Sequence, residues 1–529
     1  RNRYNNFLKA GKDGISMRKF VYREDYPVVQ TTEGKVRGYE WNGCCIFKGI
    51  PYAEAQRFHR PHRLKEWEGV REAQSYGYVC PLLSKDEPNC EMMVPHMYWP
   101  EDENCLSLNI WTPSIGDSKK RPVMVWLHGG GFFAGSSIEQ LAYDGENLCA
   151  LKDVVVVSLN HRLNVLGYLD LSPFGDEYAD SANAGNFDMI TALQWIRDNI
   201  EKFGGDPDNV TLFGQSGGGA KVWTLMQMPE ADGLFHKGIV QSGVIEALSD
   251  AEDRDGREIV LAMLRELGLA EKDVDKLKTI PYRQLAEAYL KVSPEIEAKG
   301  GYVGNFPHTG KAYLGDPVKY GFTEHAKTIP ILIGTVLGEF DFKPAIPGKH
   351  SMTREEAEQR VRKEWGEEGV ERIDDFLAIY PDKAPVDVLS MDTIFRIPTV
   401  EFIKERCKSP ESKTYSYQFT YEFPMFEGKV AWHCSEIPFV FHNIDKVPVC
   451  YKGEESLKLQ EDICDAWVSF ARTGKPEIEG IKWPACREGD EAVMMLDTEC
   501  TVKHNPDHEL LPKIRKCLDP NRKMENVQH

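Results

Sequence analysis

A chain of 529 residues that is 41 % hydrophobic and 11 % aromatic can bury a large core, which sets it apart from disordered sequences. Its net charge of −19 repels phosphate backbones and anionic lipid, so nucleic acid and membrane surfaces are excluded as expected partners. No apolar run is long enough to cross a bilayer, and the N-terminal RNRYNNFLKAGKDG lacks the apolar stretch of a signal peptide.

Short strands are expected at 32–37 and 45–48, near a turn at Asn42-Gly43. VMVWL (123–127) and VVVV (154–157) are unbroken apolar runs between polar turns, the pattern of strands buried on both faces. DMITALQWIRDNIEKF carries Ile190, Leu193, Ile196 and Ile200 at helical spacing, and Gly204-Gly205-Asp206-Pro207 stops it, which predicts a helix over 188–203. NVTLF (209–213), 238–241 and IPILIG (329–334) continue the series of buried strands. The stretches 247–327 and 354–402 turn polar and helical. They read as insertions in a single domain spanning 1–529, because no Pro/Gly/Ser-rich linker divides the chain. LQEDICDAWVSFARTG is an amphipathic helix closed by Gly474 and Pro476. Buried strands alternating with helices predict an α/β fold with a largely parallel central sheet.

Gly214-Gln215-Ser216-Gly217-Gly218 lies between the strand NVTLF and the helical run AKVWTLMQM. A serine on a sharp strand-to-helix turn needs small neighbours, because side-chain carbons beside it would clash. A glycine-rich helix start without reactivity is the plainer alternative, and the preceding strand speaks against it. His128-Gly129-Gly130-Gly131-Phe132 directly follows VMVWL. Successive glycines leave main-chain N–H groups approachable, as an oxyanion hole requires. A phosphate cradle is excluded, since no Gly-Lys-Ser/Thr follows and the G-x-G-x-x-G spacing fails at Ala134. A serine nucleophile also needs a histidine base and an acid that orients it, in the chain order serine, acid, histidine. Glu339 sits just past IPILIG, although taken alone it reads as a solvated loop carboxylate. The histidines beyond it are His350, His433, His442, His504, His508 and His529. His433 has the strand signal TYSYQFTY before it and the apolar IPFVF after it, while spacing alone leaves His442 open. The 13 cysteines are odd in number and scattered without a C-x-x-C pair, so zinc is not indicated. They read as reduced, buried thiols of a cytoplasmic protein.

Several ordered blocks together resemble the type B carboxylesterase family, which also contains the cholinesterases. They are IFKGIPYAEAQRF (46–58), ENCLSLNIWTP (103–113), HGGGFFAG (128–135), VVVVSLNHRLNVLGYL (154–169), GNFDMITALQWIRDNIEKFGGDPDNVTLFGQSGGG (185–219), WHCSEIPFVF (432–441) and WVSFARTGKP (467–476). The resemblance implies an α/β-hydrolase fold: a large, mostly parallel central sheet flanked by helices, with helical insertions shaping an active-site gorge. It implies ester hydrolysis without cofactor or metal on a small-molecule carboxylic ester. Ser216 takes the role of nucleophile, Glu339 of orienting acid and His433, in place of His442, of base. Gly130, Gly131 and Gly217 take the role of oxyanion hole, and Ser242 that of a support behind the triad. It also implies a Cys80–Cys105 disulfide, which would mark a secreted or periplasmic protein, and a buried Arg57–Glu103 ion pair. Phe132, Phe133 and Trp223 are candidates for an acyl pocket, against the plainer reading of core aromatics.

Four departures stand out. The acid loop reads LGEF, so Gly338 and Phe340 are atypical beside Glu339. Gly217 replaces the usual alanine, and either residue offers a main-chain N–H. Gln215 replaces the glutamate of cholinesterases, and Trp99 lies closer to Cys105 than their choline-site tryptophan does to its cysteine. Both disfavour choline esters. Two alternatives to an esterase are a specialised amidase or lactonase, which the same triad would serve, and a catalytically silent binding module, against which the intact triad argues. With His433 as base, hydrolysis should rise through about pH 6–7 as the imidazole loses its proton; a flat rate profile across that range would remove His433 from the role.

Overall fold

Runs of valine, isoleucine and aromatic residues build the centre of the molecule, because β-branched and ring side chains pack well on a pleated surface covered on both faces. The computed structural model describes residues 19–84, 94–246 and 254–518. Twelve strands form one sheet: β1 (Phe20–Val21), β2 (Tyr39–Trp41), β3 (Cys44–Pro51), β4 (Ser107–Thr112), β5 (Arg121–Leu127), β6 (Val155–Leu159), β7 (Gly205–Gln215), β8 (Lys237–Gln241), β9 (Ile331–Val336), β10 (Thr414–Phe419), β11 (Ala492–Leu496) and β12 (Thr501–His504). Their spatial order is β1-β2-β3-β4-β6-β5-β7-β8-β9-β10-β11-β12. The run β6-β5-β7-β8-β9-β10-β11 is parallel throughout. Antiparallel pairings close both edges.

Side chains alternate between the two faces of each strand. In β5, Val123, Val125 and Leu127 face one core together with Leu193 and Ile196 of helix α1 (Ala184–Asn199) and Val222 and Leu225 of helix α2 (Gly217–Met226). Met124 and Trp126 face the opposite core. There they meet Ile463, Trp467 and Phe470 of the long C-terminal-side helix Glu454–Thr473. The sheet is therefore the middle layer of three, as central strands buried along their whole length, such as β5, β6 and β9, require.

The boundaries follow local chemistry. The helix predicted over 188–203 begins earlier, at Ala184, and tightens into a 3-10 turn over Ile200–Phe203 before Gly204, at φ 78°, ends it. The Asn42-Gly43 turn joins β2 to β3, with both residues at positive φ as a two-residue hairpin demands. The strand expected at 32–37 is shorter. Thr31 and Gly34 close a turn through their backbone at 2.9 Å, which leaves Lys35–Arg37 in a small separate sheet. Past residue 253 the first polar stretch forms helices Arg257–Glu266 and Tyr282–Ala298, while 247–253 lie outside the described residues. The second forms Arg354–Val370, Arg372–Ile379 and α3 (Arg396–Cys407).

Helix α3 is tied to the C-terminal strands through charge. Arg396, fully buried, bonds Asp507 at 2.7 and 2.8 Å and Glu491 at 2.8 and 2.9 Å. Ser416 and His508 complete Glu491 at 2.5 and 2.6 Å. Arg396→Met would leave two buried carboxylates without their cation. The expected loss is about 3–5 kcal/mol, read as a shift of the urea unfolding midpoint.

Candidate active site

The elbow forms where β7 runs into α2. Ser216 adopts φ 57° and ψ −128°, a conformation that side chains other than glycine rarely take. Its N–H donates to Gln241 O at 2.8 Å, and its carbonyl accepts from Ala220 N–H at 3.0 Å. The flanking glycines are required by space. A Cβ on Gly214 would lie 2.5 Å from the Gly218 carbonyl carbon and 2.7 Å from Leu127 O, and one on Gly218 would overlap Leu127 O. The end of β5 thus packs directly beneath the elbow.

The glycine loop leaves β5 at that same point. Gly130 and Gly131 have φ 84° and 61°, and Gly130 O accepts from Phe133 and Ala134 N–H at 3.3 and 2.9 Å. A Cβ on Gly217 would overlap the backbone of Gly131, so the loop rests against the first turn of α2. From the far side Asn164 donates through its backbone N–H to Phe132 O at 2.9 Å and through Nδ2 to Phe133 O at 3.3 Å.

Glu339 follows β9 and is fully buried. Its Oε1 accepts from Ser242 Oγ at 2.6 Å and from Val336 N–H at 2.9 Å, and its Oε2 meets His433 Nδ1 at 2.5 Å. The His433 N–H also donates to Glu339 O at 2.6 Å. With Nδ1 committed to the carboxylate, Nε2 is the ring nitrogen that can take up a proton. His442, the rival by spacing, pairs with Glu461 at 2.6 Å instead. His350, His504 and His508 pair with Glu422, Asp490 and Glu491. His529 lies outside the described residues.

The LGEF departure now has a physical account. Gly338 passes Ala431 closely, since a Cβ there would stand 2.9 Å from Ala431 O. Phe340 places its ring 5.0 Å from the His433 imidazole, and Phe395 stacks on it at 4.9 Å and 20°. Gln215 Nε2 lies 3.3 Å from His433 Nδ1 and 3.4 Å from its Nε2, while Cys434 Sγ donates to Gln215 Oε1 at 2.7 Å. A neutral amide therefore lies against the imidazole.

Several functional neighbours were not read from the sequence. Asp392 accepts from the N–H groups of Ile394, Phe395 and Arg396, each at 2.9 Å, and so fixes the Phe395 ring. Burial, reinforced by nearby Glu339, pushes the Asp392 carboxyl up to about 7. Glu436 accepts from Gln241 Nε2 at 3.0 Å, and burial pushes its carboxyl up to about 7 as well. The glutamate inside WHCSEIPFVF was the available signal for Glu436; Asp392 had none.

Phe133 is half-buried beside Gly131. Phe132 is buried against Tyr168 and Phe306, and Trp223 packs on Tyr313 and Phe402 while donating to Gly243 O at 2.9 Å. Cys80 and Cys105 are buried and stand in the structure as free thiols within hydrogen-bonding reach of each other. Arg57 and Glu103 do pair, with Nε to Oε2 at 2.6 Å. Trp99 meets Tyr76 edge-on at 5.6 Å. Among the described residues the one trio of metal-type donors is Glu491, Asp507 and His508, and the Arg396 guanidinium already binds both of its carboxylates. No helix of the described residues is long and apolar enough to cross a membrane.

Residues 25–511 match the model of the Carboxylesterase family. A para-nitrobenzyl esterase of Bacillus subtilis (strain 168) is 35% identical over 92% of this chain and 98% of its own. A phenmedipham hydrolase of Pseudarthrobacter oxydans is 31% identical over 89% and 95%. Among solved structures, an esterase from anaerobic Clostridium hathewayi that can hydrolyse aliphatic aromatic polyesters superposes with a TM-score of 0.92. It is 52% identical over 95% of this chain and all of that one. A thermophilic PNB esterase superposes at 0.72 with 32% identity over 92% and 99%. The α/β-hydrolase fold, the elbow and these matches agree: the chain belongs to the carboxylesterase family and is a serine hydrolase acting on ester bonds.

Proposed function

We propose that Ser216, His433 and Glu339 form the catalytic triad, with the N–H groups of Gly130, Gly131 and Gly217 as the oxyanion hole. The observation that carries this reading is the buried 2.5 Å bond between Glu339 Oε2 and His433 Nδ1. Ser216 Oγ attacks the ester carbonyl and passes its proton to His433 Nε2. The negative charge that develops on the carbonyl oxygen is met by the glycine N–H groups. Collapse of the tetrahedral intermediate expels the alcohol, which takes the proton from His433, and leaves an acyl-enzyme. Water, deprotonated by the same imidazole, releases the acid. Glu339 holds the tautomer and stabilises the imidazolium, and Ser242 and the Val336 N–H hold Glu339.

The polypeptide works as one α/β-hydrolase unit, in which the helices of the two polar stretches shape the approach to Ser216. Phe133 at the loop and Phe340 and Phe395 around His433 make the surroundings aromatic. The relatives are named for nitrobenzyl esters and for aliphatic aromatic polyesters. Esters with an aromatic acid or alcohol are therefore the substrate class proposed. The neutral Gln215 amide offers a quaternary ammonium no charge partner, so choline esters are poor substrates.

Hydrolysis of p-nitrophenyl esters of increasing chain length tests this. Ser216→Ala should lower kcat/KM by about four to six orders of magnitude without loss of fold; a wild type silent on every ester would overturn it. Gly217→Ala, whose methyl group would push the Gly131 backbone away, should lower kcat by roughly 10- to 100-fold with a smaller change in KM, checked in the same assay.

A further inference from the structure

Lys221 is the residue of α2 that the catalytic reading leaves without a task. It is fully buried, although lysine is among the residue types least often found inside. Its Nζ donates to His128 O at 2.9 Å and lies 5.8 Å over the Phe132 ring. Both contacts fall on the glycine loop, one on each side of Gly129, Gly130 and Gly131. The bare first turn of α2 allows this approach. A Cβ on Gly218 would already stand 3.0 Å from His128 O. Asn164 holds the opposite edge of the loop through Phe132 O and Phe133 O. The loop is thus gripped from both sides, and the grip on the serine's side comes from the helix that Ser216 itself starts.

We propose that Lys221 is a positioning residue for the oxyanion hole: its bond to the His128 carbonyl sets where the Gly130 and Gly131 N–H groups stand relative to Ser216 and Gly217. This rests on the assignment of Ser216 and of the glycine N–H groups given above. A charged donor makes the stronger hydrogen bond, roughly twice that of a neutral one. The groups facing the ammonium are Glu139, Cys80, His128 and His161, with Arg162 beyond them already paired to Asp188 at 2.6 Å. His128 and His161 stack at 5.3 Å, and burial followed by the Lys221 charge holds both imidazoles well below their ordinary range. Burial pulls Lys221 itself down to about 7, against the opposing pull of Glu139 and Cys80. The lowered amine is charged below that pH and neutral above it. The grip on the loop is therefore strongest on the acid side and fades as pH rises, opposite in sense to the gain from His433 losing its proton.

The test compares wild type, Lys221→Met, Lys221→Arg and Ser216→Ala on p-nitrophenyl butyrate from pH 5.5 to 9. It adds inhibition by an alkyl trifluoromethyl ketone, whose hydrated or serine-bound oxygen enters the hole, and by the matching methyl ketone. Lys221→Met should lower kcat and trifluoromethyl ketone affinity at pH 6 by the same factor, about 10- to 100-fold. KM and methyl ketone inhibition should move less than about threefold, and the deficit should shrink toward pH 9. Lys221→Arg, always charged, should keep kcat within about threefold, and its rate relative to wild type should climb above pH 7. A kcat deficit for Lys221→Met that is below twofold at pH 6, or that is not matched by a loss of trifluoromethyl ketone affinity, overturns the proposal. If Lys221→Met does not fold, Lys221→Gln takes its place with the same expected losses and the same overturning results. Full activity in Ser216→Ala would instead remove the catalytic reading beneath it, whereas an inactive Ser216→Ala beside an unaffected Lys221→Met removes only the role of Lys221.

Discussion

Ser216 holds φ at 57° between β7 and α2, and a strained backbone of this kind costs roughly 1–3 kcal/mol. The neighbouring strands supply what offsets it. β7 lies between β5 and β8, with Gly214 level with Leu127 and Gln215 level with Gln241. The Ser216 N–H is therefore aimed at the Gln241 carbonyl, and the helix start is pressed on the end of β5. From that register the other parts follow in spatial order. The glycine loop leaves the end of β5, Ser216 the end of β7, Ser242 the end of β8 and Glu339 the end of β9, while His433 lies past β10. These are adjacent parallel strands, so the site gathers at their carboxyl ends without any long excursion of the chain.

The imidazole is buried among mostly uncharged groups. Phe340 and Phe395 cover its ring, the Gln215 amide lies against it, and the Cys434 thiol bonds that amide. In such a medium the Glu339–His433 bond is stronger than it would be in water. The same medium pushes Asp392 and Glu436 toward their protonated forms. Three acids thus share one neighbourhood without three full charges facing one another. Arg396 contributes at a distance, because its ion pairs anchor the helix that begins directly after Phe395.

The strands were legible because a sheet covered on both faces demands unbroken apolar runs, and the elbow and glycine loop because close backbone approach admits only glycine. Glu339 was legible by its place just past IPILIG and His433 by the strand signal before it, with the WHCSEIPFVF resemblance deciding against His442, and the LGEF anomaly marked the place where Phe340 meets the ring. Phe395, Asp392 and Lys221 were not legible. Phe395 meets Phe340 and His433 from other elements, Lys221 bonds the backbone of His128 93 positions away, and Asp392 binds only backbone N–H groups of its own turn, so no apolar period registers these contacts. A lysine inside AKVWTLMQM reads as the wet side of a helix, yet every residue from Gly217 to Met226 is buried. The strand expected at 32–37 failed for a local reason, the Thr31–Gly34 turn, which a β-propensity count does not weigh.

Gly131 rests against Gly217 with no room for a methyl group between them. A side chain at position 217 therefore requires the loop backbone at Gly131 to move. A lineage with alanine after its serine must keep its glycine loop set back from the helix. A lineage that has closed the gap, as here, is committed to glycine until the loop retreats. The distance between loop and serine is then set by whether the residue after the serine carries a Cβ.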